Sequence, residues 1–286
     1  AVPVAAWISS WRRIPFVCDV VELSFGRMRK CEPGPVSRRM ILLVETLFIR
    51  AAGVFAGCPY LLEDLRKRHP KLRPVLVLNG PTHPPDGKGS YLRERCDIPA
   101  GHRIVLYVGL LSAGRGLENF ARAAALVPEG IHCVVMGPGG KESRQKLAAL
   151  VNELGVGDRF HIIDAVPERD VVRVCSSADA GISPVNRDYG NGRFVLNNKL
   201  FQYIGAGLPV LSSDVEGVGG FVKKAGVGLV FDEREPRSIA EAITDCFSDS
   251  ARYDAFVARA AEAAVSHSWQ KQEEAFLACI LSHVHP

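Results

Sequence analysis

The stretch "NNKLFQYIGAGLPVLSSD", residues 197–214, holds the pattern of a helix, a turn and a strand. Its two asparagines can cap a helix start, and the apolar residues after them recur at helical spacing. Two glycines end that helix, and the run LPVL predicts a short buried strand. Lys199 is unusual because it falls in the first helical turn, where the macrodipole disfavours a cation. A bound anion would explain a lysine at that position.

The same alternation of helix and strand runs along most of the chain. Short, continuous apolar runs are separated by amphipathic helical patterns, which predicts parallel sheets buried on both faces. The runs with strand character are IPFVCDV, GVFAG, PVLVLN, RIVLYVG, IHCVVMG, RFHII, AGISP, LPVL and VGLVF. The sequence therefore predicts an α/β fold.

A stretch rich in proline and glycine, GPTHPPDGKGS, interrupts the alternation without an apolar period and predicts a linker. It divides the chain into an amino-terminal domain over residues 1–80, a linker over 81–101, a carboxyl-terminal domain over 102–269 and a last helix over 270–286. We expect the first sheet to have half as many strands as the second. We also expect the first ordered segment to be a helix that starts near Ala5 and ends near Arg12.

Composition narrows the class of protein. With 286 residues, 47% of them hydrophobic and 23% charged, the chain is ordinary for a globular protein and long enough for two domains. No stretch has the length and apolar character of a transmembrane helix. The eight cysteines are scattered without a CxxC pair, and the histidines form no metal motif. This pattern predicts reduced thiols, a cytosolic location and no metal site.

Positive charge is concentrated in the first 100 residues, which hold 16 Lys and Arg against 9 Asp and Glu, whereas the remainder holds 19 against 22. The basic clusters WRR, RMRK and RKRHPKLR, with tryptophans nearby, favour contact with an anionic membrane surface or an acidic ligand. Solvated helix faces explain the same clusters equally well. Nucleic acid is not expected as a partner, because no aromatic-interleaved motif accompanies the charge.

Two glycine-containing loops follow strands whose carboxyl ends should share one edge of the sheet, which is where ligands bind in doubly wound folds. Gly109 opens the loop after RIVLYV, which leads to Arg115 and Gly116, and Gly137 opens the turn after IHCVVM. Neither loop is a GxGxxG dinucleotide fingerprint or a GxxxxGK[ST] phosphate loop. A helix that starts at Arg115 would offer free N–H groups that favour an anion.

Lys199 is predicted on the same edge as Arg115, so two cations and two helix starts would suit one diphosphate. Asn198 and Gln202 can share a helix face with Lys199. With Asn198 as the N-cap, Gln202 closes no capping box and is free to bind a sugar hydroxyl. From these residues alone, a solvent-facing Lys199 and a Gln202 that only favours the helix are equally good interpretations.

Six motifs in the second part of the chain resemble those of group 1 glycosyltransferases of family 4, retaining enzymes of GT-B architecture that use nucleotide-sugar donors. They are RIVLYVGLLSAGRGLENFARAAALV, VVMGPGG, LGVGDRFHIIDAVP, SADAGISPV, NKLFQYIGAGLPVLSSD and GVGLVF, with KLFxYxxAGLPV the most specific element. The resemblance covers residues 102–270, and residues 14–80 resemble the later half of the family's amino-terminal domain. It implies two Rossmann-like domains, the first incomplete at its amino terminus.

The resemblance also implies roles for individual residues. Arg115, before Gly116, would bind the donor phosphate together with Lys199, and these two are the predicted catalytic residues because they would stabilise the departing diphosphate. The loop after RFHII would touch the base, and Gln202 would hold the ribose where the family has a glutamate. The predicted donor-binding residues are Gly109, Gly116, Gly137, Val166, Glu168, Asp188, Asn191, Asn198 and Gln202.

Besides Gln202, three positions depart from the family pattern. Leu110 replaces an arginine that contacts phosphate, and Phe194 falls near the glutamate that touches the donor sugar. The polar loop around Asp188 and Asn191 is the candidate substitute for that glutamate. Val21 replaces the histidine of an Asp-x-His-Glu pattern.

The resemblance implies a last helix that crosses back to the first domain. Its apolar positions Phe276, Leu277, Ile280 and Leu281 have helical spacing and need burial. We expect these four side chains to pack on the first domain.

The resemblance thus implies a hexosyltransferase that moves a sugar from a nucleoside-diphosphate sugar to an acceptor with retention of configuration, without a cofactor besides the donor. The acceptor class left open is a saccharide or a lipid-linked saccharide. The expected location is the cytoplasm, with membrane association on the cytoplasmic face through the basic first 100 residues. One alternative is a nucleotide-sugar 2-epimerase, which would need a pair of carboxylates for proton abstraction, and the sequence offers no convincing pair. The other is a non-catalytic nucleotide-sugar-binding remnant, which the residues Leu110 and Phe194 favour.

Overall fold

The computed structural model describes residues 2–20, 36, 39, 43, 45–47, 51–81, 87–188, 192–194 and 196–284. The chain divides into two units. Unit 1 comprises residues 1–79, 187–196 and 269–286, and unit 2 comprises residues 80–186 and 197–268.

The helices and strands alternate along the chain as a parallel α/β fold requires. The strands are β1 (Val17–Val20), β2 (Gly53–Ala56), β3 (Val75–Leu76), β4 (Arg103–Val108), β5 (Ile131–Met136), β6 (Phe160–Ile163), β7 (Ala180–Ser183), β8 (Val210–Ser213) and β9 (Gly228–Phe231). The helices are α1 (Val2–Arg12), α2 (Pro59–Arg68), α3 (Tyr91–Cys96), α4 (Leu117–Ala124), α5 (Lys141–Glu153), α6 (Val171–Cys175), α7 (Asn198–Gly205), α8 (Val218–Ala225), α9 (Pro236–Ser248), α10 (Ser250–Ser266) and α11 (Trp269–Val284).

Unit 1 contains a parallel sheet in the order β1-β2-β3 among its described residues. Val17 is paired with Gly53 and Phe55 with Val75. The central strand β2 is buried along its whole length, as a strand covered on both faces must be. These three strands are half the number found in unit 2, as the sequence predicts. The helix α1 ends at Arg12 as predicted but starts at Val2, three residues before the predicted Ala5.

The last helix, α11, packs on the sheet of unit 1. The ring of Phe276 lies 4.7 Å from that of Phe55, and the side chain of Gln272 accepts the Leu78 N–H at 2.9 Å. A Cβ on Gly53 would lie 2.8 Å from the sulfur of Cys279. The sheet therefore faces one stripe of α11.

The expected burial of Leu277 and Leu281 is wrong. These side chains are 44% and 52% exposed, whereas Phe276 and Ile280 are half-buried. The reason is the width of the buried stripe, because only the face that carries Gln272 and Phe276 points to the sheet.

Unit 2 contains a six-stranded parallel sheet in the order β6-β5-β4-β7-β8-β9. The four inner strands, β5, β4, β7 and β8, are buried on successive residues, so helices cover both faces of the sheet. The helices α4, α5 and α9 form one packed group, and α7 packs with α6 and α10 in another. Aromatic side chains fill the core, with Phe120 of α4 edge-on to Phe160 at 5.5 Å.

The helix α3 falls within the predicted linker over residues 81–101 and belongs to unit 2. Leu92 is fully buried and donates its N–H to the hydroxyl of Ser177 at 3.2 Å. The sequence gives little sign of this helix because it is short and has no apolar period.

The helix α8 is absent from the sequence-based prediction. It contains Gly219, and a Cβ there would lie 2.5 Å from the carbonyl oxygen of Ser213. The glycines that make the stretch resemble a loop therefore allow the helix to approach the backbone that follows β8. Among the described residues, no helix combines the length and hydropathy that a membrane crossing requires.

Candidate functional site

The carboxyl ends of β4 and β5 lead into two loops that run side by side. Gly109 donates its N–H to the carbonyl of Met136 at 3.0 Å, and Leu111 donates to the carbonyl of Pro138 at 2.7 Å. A side chain on Gly137 would collide with the carbonyl of Gly109, so the loops approach closely only because Gly137 is glycine. Two of the predicted glycines thus form one backbone surface at the edge of the sheet.

Gly116 fixes the helix start that follows β4. It is the N-cap of α4 with a φ of 73°, in the left-handed region that favours glycine. A Cβ on Gly116 would lie 2.8 Å from the carbonyl oxygen of Pro184, just after β7. Arg115 therefore precedes the N-cap, which corrects the predicted helix start at Arg115 and leaves the arginine beside the amino terminus of α4.

The helix α7 is tied to the end of β7 at its first residues. The side-chain oxygen of Asn197 accepts the Leu200 N–H at 3.1 Å, and its amide nitrogen donates to the hydroxyl of Ser183 at 2.9 Å. The N-cap is Asn197, which corrects the prediction of Asn198. Asn198 is the first helical residue and is exposed.

Lys199, the second residue of α7, reaches over the end of β4. Its ammonium nitrogen lies 3.9 Å from the ring centroid of Tyr107, within the range of a cation–π interaction. A Cβ on Gly109 would lie 3.4 Å from the same nitrogen, so the missing side chain at Gly109 leaves room for the lysine. The structure brings Lys199, Gly109 and Gly137 to one place and adds Tyr107.

The ionisation of Lys199 depends on this environment. Burial, reinforced by the positive charge of Arg115, lowers the pKa of Lys199 to about 7. The residue keeps partial solvent exposure, while its ammonium end lies deep among protein atoms. Burial also raises the pKa of Tyr107 to about 12, against the lowering effect of Arg115. The phenol beneath the ammonium is therefore neutral and supplies no counter-charge.

Arg115 and Lys199 have no anionic partner within the described part of the chain, where neither side chain has a carboxylate at salt-bridge distance or a hydrogen-bond acceptor. Two neighbouring cations without an anion raise the free energy of the folded chain, and a bound anion would reverse that effect. The described ranges also contain no group of three or more His, Cys, Asp or Glu side chains that could hold a metal ion.

Gln202 and Glu168 form a pair on unit 2. The amide nitrogen of Gln202 donates to the carboxylate of Glu168 at 3.1 Å. Glu168 begins a 3₁₀ turn after β6, and Val166 is half-buried in the same loop. Three predicted donor-binding residues are therefore carried by one loop and the helix bonded to it.

The loop predicted to contact the donor sugar lies partly outside the described residues. Asp188 is exposed and belongs to unit 1, a different unit from Lys199, whereas Asn191 and Val21 lie outside the described residues. Phe194, also in unit 1, stacks on Tyr60 with 3.8 Å between the ring centroids. Sequence reasoning did not identify this aromatic pair.

Arg144 is a further residue at this edge that sequence reasoning missed. Its guanidinium donates to the carbonyls of Gly137 and Ile163 at 2.7 and 3.3 Å and pairs with Asp164 at 3.0 Å. It thereby joins the ends of β5 and β6. A signal was present, because Arg144 lies in the first turn of α5, where the macrodipole disfavours a cation as it does at Lys199.

Known proteins resemble this chain over much of its length. The family described as "Glycosyl transferases group 1" matches residues 92–263. The D-inositol 3-phosphate glycosyltransferase of Thermobispora bispora is 27% identical over 187 residues, which cover 62% of this chain and 42% of that protein. The lipopolysaccharide glucosyltransferase WaaG of Escherichia coli is 27% identical over 150 residues, which cover 52% of this chain and 38% of that protein. The chain spans less than half the length of these curated relatives.

Solved structures resemble this chain more completely. Anabaena Alr3699/HepE in complex with UDP has a TM-score of 0.80 at 16% identity, over 98% of this chain and 75% of that one. WaaG, a glycosyltransferase involved in lipopolysaccharide biosynthesis, has a TM-score of 0.68 at 19% identity, over 95% and 79%. These likenesses confirm the predicted α/β fold of GT-B type. Because the family match covers more than half of the residues, the chain belongs to the group 1 glycosyltransferases.

Proposed function

We propose that this chain serves the transfer of a sugar from a nucleoside-diphosphate sugar to an acceptor with retention of configuration, and that Arg115 and Lys199 hold the donor diphosphate. The observation that carries the proposal is this pair of neighbouring cations, which has no carboxylate partner among the described residues. Both lie at helix starts, where free N–H groups favour phosphate as well. A departing diphosphate is the group that such an arrangement stabilises.

The comparisons support a nucleotide-sugar donor. Anabaena Alr3699/HepE has been crystallised with UDP, with UDP and glucose, and with UDP-glucose. The curated relatives are named glycosyltransferases. By analogy, the donor of this chain carries a hexose. This scheme uses no separate cofactor, because the donor itself carries the activated sugar.

Lys199 changes its protonation state in this proposal. With a pKa of about 7, a substantial fraction of the lysine is neutral near neutral pH, and a diphosphate beside it favours the charged form. Donor binding is therefore accompanied by proton uptake. The charged lysine and Arg115 then stabilise the diphosphate as the bond between its oxygen and the anomeric carbon breaks.

Glu168 and Gln202 hold the nucleoside in this proposal. A carboxylate accepts hydrogen bonds and an amide both donates and accepts them, so a ribose diol can replace the 3.1 Å bond that now joins the two side chains. Val166, in the same loop, offers apolar surface to the base. The neutral amide binds a hydroxyl less strongly than the family's carboxylate would.

One observation favours a second function, which is donor binding without transfer. The glutamate with which the family touches the donor sugar would fall near Phe194, whose ring stacks on Tyr60 with an interplanar angle of 10°. A phenyl ring offers no hydrogen bond to sugar hydroxyls. A non-catalytic chain of this kind would still bind the donor through Arg115 and Lys199.

Two measurements on the whole chain separate these functions. Isothermal titration with UDP and UDP-glucose tests donor binding, and proton NMR with candidate acceptor sugars reads the anomeric configuration of any product. Transfer with retention supports the enzyme, whereas binding without transfer or sugar release supports the binding module. Failure to bind UDP, UDP-glucose and other nucleoside diphosphates would overturn both.

We also propose that α1 contacts an anionic membrane surface. Trp7 and Trp11 are 65% and 64% exposed and stack with 5.7 Å between centroids, and the guanidinium of Arg12 lies 4.3 Å from the ring of Trp11. Tryptophan beside cations suits the interfacial region of an anionic bilayer. The chain should sediment with phosphatidylglycerol vesicles, and Trp7→Ser with Trp11→Ser should reduce that binding. Equal binding to phosphatidylcholine vesicles would contradict the proposal.

A further inference from the structure

The strands β4 and β7 part at the point where the strand order of the sheet reverses. The order β6-β5-β4-β7-β8-β9 turns back between β4 and β7, and the pairing of these strands ends at Leu106 with Gly181. In a parallel ladder continued by one step, the N–H of Val108 would bond to the carbonyl of Ile182. The crevice at such a reversal is where ligands bind in open α/β sheets.

The hydroxyl of Tyr203 takes the place of that backbone bond. It accepts the Val108 N–H at 2.9 Å and donates to the Ile182 carbonyl at 3.0 Å. Burial raises the pKa of Tyr203 well above its ordinary value, so the hydroxyl keeps its proton. The ring is fully buried against Gly181, where any side chain would overlap it. The hydroxyl oxygen of Tyr203 therefore bridges the two strands by hydrogen bonds and keeps them too far apart to bond to each other directly.

Tyr203 also lies beneath Lys199. The two residues are four apart in α7 and share one helix face. The hydroxyl of Tyr203 fixes this face to both strands, while Asn197 fixes the start of the helix to Ser183. From this position Lys199 crosses the end of β4 and places its ammonium over Tyr107. The distance between α7 and β4 therefore determines where the ammonium of Lys199 lies.

We propose that Tyr203 is a positioning residue of the diphosphate site, whose hydroxyl holds β4 and β7 apart and sets Lys199 over Tyr107 beside Arg115. The choice of diphosphate as ligand rests on the proposed function. The role of Tyr203 in holding the two strands and placing Lys199 does not depend on it. Phenylalanine would fill nearly the same volume but would leave the Val108 N–H and the Ile182 carbonyl without their partner. Buried polar groups are rarely left unpaired, so the strands would close on each other and displace Lys199.

The first test needs no ligand. In ¹³Cε-lysine NMR titrations of the whole chain, with Lys199→Met to assign the resonance, the pKa of Lys199 should be near 7 in the wild type. In Tyr203→Phe it should rise by roughly one unit or more, because a displaced ammonium regains solvent. An unchanged pKa of Lys199 would overturn the inference.

Tyr253→Phe is the matched control for that titration. Tyr253 is another tyrosine of unit 2 whose hydroxyl donates to a backbone carbonyl, that of Asp179 at 2.9 Å, near the opposite edge of the sheet. Its loss should lower the melting temperature comparably and leave the pKa of Lys199 unchanged. If Tyr203→Phe fails to fold, 4-aminophenylalanine at position 203 retains a donor and should keep the wild-type pKa of Lys199. A normal lysine pKa in that folded variant would count against the inference.

The second test uses UDP as the probe. Tyr203→Phe should weaken UDP binding about tenfold, as expected when a charged hydrogen bond is misplaced. In the Lys199→Met background it should change UDP binding little, because Tyr203 acts through Lys199. Equal weakening in both backgrounds would show a general structural role and overturn the inference. If the wild type binds no UDP, the proposed function fails, and the lysine titration still decides the role of Tyr203.

Discussion

The two edges of the six-stranded sheet in unit 2 both carry clustered cations, and they differ in whether an anion answers them. At the amino edge, the carboxylate of Asp179 pairs with Lys88 at 2.6 Å and with Arg93 and Arg103 at 3.4 Å each. The same carboxylate accepts the Ile104 N–H at 2.8 Å and is 1% exposed. This cluster contains its own counter-ion and holds α3 and β4 to the start of β7.

At the carboxyl edge, Arg115 and Lys199 form the opposite case, since no carboxylate among the described residues pairs with either. Burial, reinforced by the positive charge of Arg115, lowers the pKa of Lys199, and no carboxylate in the described part of the chain lies near enough to oppose that shift. The comparison shows how to separate cations that stabilise a fold from cations that are available to a ligand. The criterion is the presence of an internal anion, and the predictions below apply it to both edges.

The largest expected effect is on stability at the amino edge. Asp179→Ala removes a buried carboxylate from three cations and from the Ile104 N–H, and should lower the free energy of unfolding by about 3 kcal/mol. This value is the low end for a broken buried pair, because Lys88 and Arg103 are about half exposed and can be solvated. Urea unfolding followed by circular dichroism measures it.

The matched control for that variant is Asp254→Ala, which removes an exposed aspartate of α10 and should change the stability by less than about 0.5 kcal/mol. A loss no larger in Asp179→Ala than in Asp254→Ala would mean that the anion at the amino edge is not structural, and the comparison between the edges would fail.

The next largest effect is on ligand binding at the carboxyl edge. Arg115→Ala and Lys199→Ala should each weaken UDP binding by roughly ten- to a hundred-fold, the equivalent of a lost charged hydrogen bond of about 1.5–3 kcal/mol. Without ligand, the melting temperature should not fall, because each substitution removes a repulsion between like charges. Calorimetry and thermal melts measure the two quantities.

Arg122→Ala and Lys146→Ala are the controls for these two variants. Arg122 is exposed on α4, and Lys146 is exposed on α5 and paired with Glu142 at 2.6 Å. Neither should alter UDP binding. A loss of affinity as large as that of Lys199→Ala would point to diffuse attraction rather than a site.

Sequence reasoning succeeded where a local pattern determines the structure. The apolar stripe of Leu200, Phe201 and Ile204 placed α7, and continuous apolar runs placed the strands. It failed where a glycine is required by a tertiary contact. Gly219 lies within α8 because the helix closely approaches the backbone of Ser213, and no local pattern in the sequence shows that contact. The same holds for α3, whose burial of Leu92 depends on a partner far along the chain, Ser177.

The candidate site shows the same division. Arg115 and Lys199 could be placed together because the carboxyl ends of parallel strands share an edge. Tyr203 could not, because its role depends on where the pairing of β4 and β7 stops. The stack of Phe194 on Tyr60 likewise could not be predicted, because its partner lies more than a hundred residues earlier in the chain.

The two edges should also respond to pH in opposite directions. Lowering the pH should reduce the stability that the amino edge contributes, whereas raising the pH should weaken UDP binding at the carboxyl edge. At the amino edge, His102, His132 and His161 form a row with nitrogen–nitrogen distances of 2.9 and 3.0 Å. Burial, reinforced by the positive charges of the neighbouring histidines and Arg159, lowers the pKa of His132 from 6.5 to about 4. The carboxylate of Asp158 acts in the opposite direction and is outweighed. The unfolded chain therefore binds more protons between these values, so stability falls as the pH falls through that window.

The expected loss is about 1–2 kcal/mol of unfolding free energy between pH 6.5 and pH 5, given about 1.4 kcal/mol for each unit of pKa. Urea unfolding at several pH values measures it, and His132→Gln should flatten the dependence. A wild-type slope that His132→Gln leaves unchanged would assign the acid sensitivity to other groups.

At the carboxyl edge, raising the pH should weaken UDP binding. Free Lys199 has a pKa of about 7, and bound diphosphate raises it, so binding takes up a proton above neutral pH. Affinity should fall about fivefold from pH 7 to pH 8. The phosphate itself is already ionised in this range, with a second pKa near 6. Lys199→Met should bind UDP weakly with little pH dependence, and a fivefold fall that persists in this variant would exclude Lys199 as its cause.

The smallest expected effect concerns the neutral pair beside the cations. Gln202 contributes an uncharged hydrogen bond, so Gln202→Ala should weaken UDP binding by only about two- to tenfold, the equivalent of about 0.5–1.5 kcal/mol. Glu168 is exposed, and the loss of its 3.1 Å bond to Gln202 should leave the melting temperature unchanged. The control is Gln145→Ala on the exposed face of α5. Because the ribose is the proposed contact, the loss should be absent when inorganic pyrophosphate replaces UDP, whereas Lys199→Ala should weaken both ligands. An equal loss of pyrophosphate affinity in Gln202→Ala would place Gln202 at the diphosphate and contradict its assignment to the ribose.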